Sequence, residues 1–397
     1  MSTLLKRLFL ALLLLGLLGS AIRETTFAEC LKISSPGTQT EQLQGVAPAP
    51  ARIIPTYWRK FPTGTLNAIT DVPGIQVGQL SLLQDQPVII RTGLTAIVPK
   101  SPLPNGNLAN TGFPAAASIL NGNGEVTGIA AILHSGLLNG PIILTNTPSV
   151  GIASQGVQAY FQQFFPDLWA SELPVVAECW DGFFNTLDAK ALQPEDVITA
   201  IRSARNGPVA QGRVGAGTGM RSFEMHGGIG SASRKIQIDN REYTLGVLVN
   251  SNHSRLDELN PLLKDALEAH WQKPPAEIRE RDNQDRATQR PPQPRQGSII
   301  IVIATDLPVD AHALQAMTNH AALGIAQAGG HMAVTSGDFA LAFSTANATL
   351  MGNMAPTFRK IVTLHPQQLT PVFQAMTEAI VEAQLNALVA SHHSLPN

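Results

Sequence analysis

The sequence of 397 residues contains few cysteines, few aromatic residues and little net charge. Its two cysteines, Cys30 and Cys179, have no histidine partners nearby, and the ten histidines show no metal-ligand spacing such as H-E-x-x-H. We therefore expect no metal site. A formal net charge of −2 without a long basic block argues against nucleic acid as a partner. Aromatic residues make up only 5%, whereas the 33 glycines favour close backbone packing over an aromatic-lined cleft.

Several motifs of common enzyme sites are also missing. The chain has no G-x-S-x-G nucleophile elbow, so an α/β-hydrolase site is not supported. The glycine-rich run 215–220 lacks both the Lys-Ser/Thr ending of a P-loop and the G-x-G-x-x-G spacing of a dinucleotide site. A second glycine run, 227–234, follows closely. We interpret the pair as backbone packed against backbone, or as backbone amides that line a site. The turn at 180–182, Trp-Asp-Gly, is more typical of a surface turn.

The N-terminus has the pattern of a secretory signal. Lys6 and Arg7 precede the apolar run 8–18, and small residues follow before residue 28. We predict a signal peptide over 1–28, export to the periplasm or beyond, and no stable membrane insertion after its removal. The alternative is an uncleaved anchor, although the apolar run is short for a membrane span. Export permits a disulfide between Cys30 and Cys179, but Cys30 lies in the polar leader, so the pairing stays open.

The remaining chain predicts a polar leader, one large domain and one insertion. Residues 29–58 are polar with proline and glycine, and 59–397 alternate strand-like and helical patterns, as in a layered α/β fold. The helices are predicted at 149–165, 194–204, 311–330 and 370–392. Residues 273–297 are charged and proline-rich with almost no large apolar side chain, which predicts a disordered insertion.

The stretch 243–253, YTLGVLVNSNH, raises the question of function. An apolar strand, 245–249, is followed by Asn250-Ser251-Asn252-His253. A plain polar turn is the common explanation. If the Asn250–Ser251 bond breaks, however, Ser251 acquires a free α-amine with a pKa near 8, which can serve as general base for its own hydroxyl.

Eight stretches in order resemble one family. Over roughly residues 60–360 the chain is similar to the DmpA-type L-aminopeptidase/D-esterase family, which includes the β-peptidyl aminopeptidases. The motifs are RTGLTAIVP, GIAAILHSGLLNGPIILTNTPSVG, PVVAECWDG, VGAGTGM, GGIGSASR, LGVLVNSNH, SIIIVIATDLP and SGDFALAFSTAN.

The resemblance implies a four-layer αββα sandwich, like N-terminal-nucleophile hydrolases but with a distinct topology. It implies self-cleavage between Asn250 and Ser251 into fragments 29–250 and 251–397, which stay together and assemble as oligomers. Family members release N-terminal residues from peptides, amides or esters without a metal or another cofactor. Whether this chain prefers L-, D- or β-residues does not follow from the sequence.

The resemblance also suggests roles for single residues. Ser251 is the expected nucleophile. Asp306 is the expected acid, holding the substrate ammonium or orienting the new α-amine, and Thr305 is the nearest hydroxyl. The family hydroxyl would stand two residues before the acid, where this chain has Ala304. Donors for the oxyanion are expected among Asn252, Asn146 and the backbone of Gly217, Thr218 and Gly219.

Two other functions remain open at this point. The first is acyl transfer by the same machinery, as in ornithine acetyltransferase-like proteins, whose self-cleavage precedes threonine and not serine. The second is an exported, non-catalytic binding protein that keeps the fold uncleaved. The family tyrosine finds no convincing match among the chain's three tyrosines, and this, with the altered residues around Asp306, keeps the second alternative open.

Overall fold

Two β-sheets pack face to face in the computed structural model, which describes residues 53–167, 173–286 and 297–393. The first sheet has the strand order β1-β2-β5-β6, in which β5 and β6 are parallel. Its strands are β1 (Ile75–Gln84), β2 (Ile90–Pro99), β5 (Ile142–Asn146) and β6 (Val175–Cys179).

The second sheet has the order β13-β3-β12-β11-β10-β9, and the short β4 also pairs with β3. The central pair β11–β12 is parallel, whereas β10 pairs antiparallel with both β9 and β11. Its strands are β3 (Thr111–Gly122), β4 (Leu137–Asn139), β9 (Gly228–Ile238), β10 (Arg241–Asn252), β11 (Gly297–Thr305), β12 (Ser336–Ser344) and β13 (Thr349–Leu350). A separate hairpin joins β7 (Arg221–Ser222) and β8 (Met225–His226).

The described residues form seven α-helices. They are α1 (Ile129–Ser135), α2 (Val150–Phe164), α3 (Pro194–Ser203), α4 (Pro261–Trp271), α5 (Pro275–Asp282), α6 (Ala311–Ala328) and α7 (Thr370–His393). The four helices predicted from apolar spacing are confirmed as α2, α3, α6 and α7. In α3, Pro194 occupies the first turn together with Glu195 and Asp196, a favourable start for a helix.

Three buried clusters define four layers. Between the sheets, Ile97 of β2 shares a core with Leu248 of β10 and Ile300 of β11. Helices α2 and α3 pack on the outer face of the first sheet. Helices α6 and α7 pack on the outer face of the second, for example through Met317 and Ile380. The predicted αββα sandwich is confirmed. All described residues belong to one compact unit.

Strand β10 is longer than the sequence indicates. It does not end at Val249 but continues to Asn252, and Ser251 pairs with Gly228 of β9 on one side and Ile299 of β11 on the other. The alternative of a plain polar turn at this point is therefore wrong. The strand continues because the polar side chains of 251–252 find hydrogen-bond partners in the interior.

The charged stretch 273–297 is also more ordered than predicted. Its first part forms α5, whose proline start suits a helix and whose single large apolar side chain, Ile278, is buried in a core cluster. Asp282 accepts a hydrogen bond from His226 N at 2.9 Å. The disorder prediction is thus wrong for 275–286, while 287–296 lie outside the described residues.

The predicted leader ends in a packed segment. Ile54 is buried in the same cluster, and Thr56–Trp58 form a 3₁₀ turn. The predicted signal peptide, Cys30 and the leader up to residue 52 lie outside the described residues. Within the three described ranges, no helix combines the length and apolar character needed to cross a membrane.

Candidate active site

Ser251 lies in the interior with its hydroxyl engaged. The residue is fully buried, and its Oγ lies 2.8 Å from Ser222 Oγ on β7. Ser222 Oγ also lies 3.3 Å from the carbonyl oxygen of His253. Ser222 can therefore donate to that carbonyl while it accepts the proton of Ser251, which leaves a lone pair of Ser251 Oγ free.

Asn252 is held by hydrogen bonds on every polar atom. Its Nδ2 donates to Trp180 O at 2.8 Å and to Ser298 Oγ at 3.0 Å, and its Oδ1 accepts from Arg221 N at 2.7 Å. Both amide hydrogens are therefore in use. The expectation that Asn252 donates to the oxyanion is not supported in this state, and the residue instead fixes the backbone next to Ser251.

His253 anchors the chain on the other side of Ser251. Gln384 Nε2 donates to the carbonyls of Gly324 and Ile380, so its Oε1 accepts from His253 Nε2 at 2.9 Å. Ser254 Oγ lies 2.7 Å from His253 Nδ1. Burial lowers the pKa of His253 to about 4, although the Gln384 hydrogen bond opposes this. The imidazole is thus neutral and structural at neutral pH.

Asn250, on the acyl side of the candidate scissile bond, is also fully buried. Its Nδ2 donates to Ala216 O at 3.4 Å. Its Oδ1 has no hydrogen-bond partner among the described residues. The thiol of Cys179, at the end of β6, lies 3.6 Å from the carbonyl oxygen of Asn250. Cys179 is a free cysteine, and burial raises the pKa of its thiol well above the ordinary value, which keeps it protonated.

Buried acids surround this end of the sheets. Asp181 accepts a hydrogen bond from Asn146 Nδ2 at 3.1 Å, and burial raises its pKa to about 6. Burial likewise raises the pKa of Asp338 to about 6. The turn that contains Asp181 is therefore interior and not the surface turn that the sequence suggested. Asn146 lies beside Cys179 in the β5–β6 register and so stays close to the candidate bond.

Asp306 and Thr305 lie far from Ser251, and their predicted position is wrong. Thr305 pairs with Leu245, six positions before Ser251 on β10, so the separation is about 20 Å at 3.3 Å per residue. Asp306 Oδ1 accepts from Thr244 N at 2.6 Å, and Thr305 Oγ1 donates to Thr244 O at 2.8 Å. The end of β11 meets the beginning of β10 because the two strands are antiparallel.

The glycine run has a packing role. The amide hydrogens of Gly217 and Thr218 are bonded to Val214 O and Gly215 O at 2.9 and 3.2 Å, so they are not free for an oxyanion. A Cβ at Gly217 would overlap the backbone of β9, and one at Gly219 would overlap Arg91 O. These glycines allow the loop to press against both sheets.

Sequence reasoning missed Ser222, Cys179 and Ser298. The sequence carries no signal for Ser222, which is joined to Ser251 only by the path of the hairpin. Cys179, in contrast, ends a buried strand, and Asp181 follows that strand closely. In the part of the chain that is described, no three or more His, Cys, Asp or Glu side chains are grouped to hold a metal ion.

Comparison with known proteins decides the family. The family model for peptidase family S58 matches residues 67–394. The chain belongs to peptidase family S58. It is similar to the β-peptidyl aminopeptidases BapA of Sphingosinicella microcystinivorans and Sphingosinicella xenopeptidilytica, at 37% and 34% identity. Each alignment covers 83% of this chain and 82% of the relative.

A solved structure supports the same assignment. The L-aminopeptidase D-Ala-esterase/amidase of Ochrobactrum anthropi, described as a prototype for the serine aminopeptidases and a new variant of the Ntn-hydrolase fold, superposes with a TM-score of 0.71. The two are 30% identical, over 83% of this chain and 88% of the other. The S58 chain described here is thus a hydrolase of the aminopeptidase type, and the resemblance found from its motifs is confirmed.

Proposed function

We propose that the chain cuts its own Asn250–Ser251 bond and then uses Ser251 to release N-terminal residues from peptides, amides or esters. The observation that carries this proposal is the Ser251 hydroxyl, which is buried, oriented by Ser222 at 2.8 Å and mounted on a strand paired on both sides. Such support fixes a nucleophile in place.

The freed α-amine of Ser251 supplies the base. With a pKa near 8, part of it is unprotonated at neutral pH and can take the hydroxyl proton as Oγ attacks a substrate carbonyl. The protonated amine then returns the proton to the leaving nitrogen or oxygen. Water, activated by the same amine, hydrolyses the acyl-enzyme. Because Ser251 is fully buried in the intact chain, cleavage must precede turnover.

The curated relatives favour one substrate class. Both are β-peptidyl aminopeptidases, so peptides that begin with a β-amino acid are the proposed substrates, with L-amino-acid amides as the second class to examine. We extend the proposal to export and to an oligomer of processed pairs, on the N-terminal pattern and the family resemblance.

Three proteins test the proposal on a denaturing gel. The wild type is expected to give two fragments, the smaller beginning Ser-Asn-His-Ser, and to hydrolyse p-nitroanilides of β-, L- or D-amino acids. Ser251→Ala is expected to remain one inactive band. The exposed Ser135→Ala variant is the matched control and should behave as wild type. A wild type that is active as one uncut band, or an active Ser251→Ala protein, would contradict the proposal.

A further inference from the structure

The carbonyl of the Asn250–Ser251 bond has a thiol beside it. Cys179 Sγ lies 3.6 Å from Asn250 O, an ordinary separation for a donor as large as sulfur. Both residues are fully buried, so water does not compete for this carbonyl. The thiol comes from β6 of the first sheet, whereas Ser222, which contacts the nucleophile, comes from β7. Separate elements therefore serve the oxygen and the nucleophile.

We infer that the Cys179 thiol donates its hydrogen to Asn250 O and stabilises the oxyanion that forms when Ser251 Oγ attacks this carbonyl. The inference rests on the self-cleavage proposed above and adds a residue to it. Cys179 acts here as a donor, not as a nucleophile, and it requires the neutral thiol that burial maintains.

The covalent steps balance with water as the only co-reactant. Ser251 Oγ forms a bond to the Asn250 carbonyl carbon, and its proton passes through Ser222 to the Ser251 nitrogen. The C–N bond then breaks and leaves an ester between Asn250 and Ser251 Oγ, with a free α-amine. Water hydrolyses this ester to the Asn250 carboxylate and the Ser251 hydroxyl. The negative charge on Asn250 O in the first step is the charge that Cys179 stabilises.

The environment of Asn250 supports this role independently. Its own amide side chain is buried with Oδ1 unpartnered among the described residues and with a single 3.4 Å bond from Nδ2 to Ala216 O. The Asn250 side chain thus offers little hydrogen bonding of its own near the bond. Cys179, in contrast, places its Sγ 3.6 Å from the reacting oxygen, Asn250 O.

The test is a time course of cleavage after synthesis of the full chain in a cell-free system. Removal of a strong oxyanion donor slows reactions by about 10²–10³, and a thiol is a weaker donor, so Cys179→Ala is expected to slow cleavage by about tenfold. Cys179→Ser keeps a donor and is expected to cleave within about threefold of wild type. Val176→Ala, a buried truncation on the same strand, is the matched packing control and should cleave at the wild-type rate.

Two further measurements separate chemistry from packing. Hydroxylamine cleaves the ester but does not accelerate its formation, so it should not restore the Cys179→Ala rate. In an uncleaved Ser251→Ala, Cys30→Ser protein, the S–H infrared band should lie at lower frequency than in the denatured chain, even if Cys179→Ala fails to fold.

The outcomes are distinct. If the wild type does not cleave, the proposed function itself fails. If it cleaves and Cys179→Ala keeps pace with it, only the role of Cys179 is overturned. The role of Cys179 would also be overturned, in favour of packing, if Cys179→Ser and Val176→Ala slowed cleavage as much as Cys179→Ala does. An S–H band that does not shift on denaturation would have the same meaning.

Discussion

Arg234 is the centre of a buried ion network that joins the two predicted fragments. Its Nε donates to Glu378 Oε1 at 2.6 Å, and its Nη2 donates to Glu382 Oε2. The other two carboxylate oxygens accept from Lys60 N and Asn67 Nδ2 at 2.9 and 3.0 Å. Arg234 lies before the 250/251 bond, whereas both glutamates lie after it on α7, so cleavage would leave this network as a noncovalent link.

Replacing Arg234 with methionine should be strongly destabilising. The guanidinium is fully buried, and its removal leaves two buried carboxylates that each lose a charge-assisted hydrogen bond. Breaking a buried pair by removing one partner costs about 3–5 kcal/mol. At 1.4 kcal/mol per tenfold, about 4 kcal/mol would weaken the association of the cleaved fragments by about 10³.

The assay is denaturant unfolding in the uncleaved Ser251→Ala background, with fragment dissociation of the cleaved protein measured by size exclusion. Arg255→Met is the control, because Arg255 and Asp257 form an exposed pair, and it should lose less than about 1 kcal/mol. Adding Glu378→Gln and Glu382→Gln to Arg234→Met should restore much of the stability. A loss below about 1 kcal/mol for Arg234→Met, or a triple variant no better than the single one, would refute this reasoning.

Three further changes have opposite or contrasting expected effects. Gly230→Ala should lose about 1–3 kcal/mol because a Cβ would overlap the backbone of α7, whereas Gly151→Ala in α2 meets open space and should gain about 0.5–1 kcal/mol; thermal unfolding that moved both in one direction would contradict this. Burial raises the pKa of Asp181 to about 6, against about 4 in the unfolded chain, so between these pH values the folded state binds a proton that the unfolded state has lost. The free energy of unfolding therefore falls by about 3 kcal/mol as pH rises from about 4 to about 6. Asp181→Asn should remove this loss in urea titrations from pH 4 to 8, and an unchanged pH profile would count against it. Asp306→Ala should cleave and turn over like wild type while it loses about 1 kcal/mol with its bond to Thr244 N, and a cleavage defect on the gel would restore Asp306 to the site.

The four long helices and the αββα layers could be predicted, but the ordered helix α5 could not. Long amphipathic patterns predict α2, α3, α6 and α7, because the periodic apolar face of each helix can be recognised from its own residues alone. The αββα arrangement came from the family resemblance and not from periodicity. Helix α5 was not predicted, because its many charged residues are typical of a disordered segment. In the structure, the buried side chain of Ile278 and the hydrogen bond from His226 N to Asp282 hold it in place.

Ser251 could be named as the candidate nucleophile because its motif is local, but its surroundings are set by long-range pairing. Ser222 and Cys179 lie 29 and 71 residues from the atoms they contact, and only the strand register brings them together. The same register explains the error at Asp306. The family pattern placed its motif near Ser251. The antiparallel pairing instead puts the end of β11 beside the beginning of β10, far from Ser251.

Because β10 continues past the candidate scissile bond, self-cleavage would cut the chain within a sheet. The pairing of β10 shows how such a cut could expose a nucleophile without separating the fragments. Of the strand Arg241–Asn252, only residues 251 and 252 would belong to the small fragment. The ten residues before the bond would keep their pairing with β9, and 245–250 their pairing with β11. Helix α7 would stay packed on β9, where Gly230 lets the helix backbone approach closely. Cohesion after cleavage would therefore depend on the rest of the buried sheet, the helix layer and the Arg234 network, none of which requires the scissile bond to be intact. Release of Ser251 then requires a local shift at two residues, while Asn252 and His253, bonded to Trp180 O and Gln384, limit how far the new N-terminus can move.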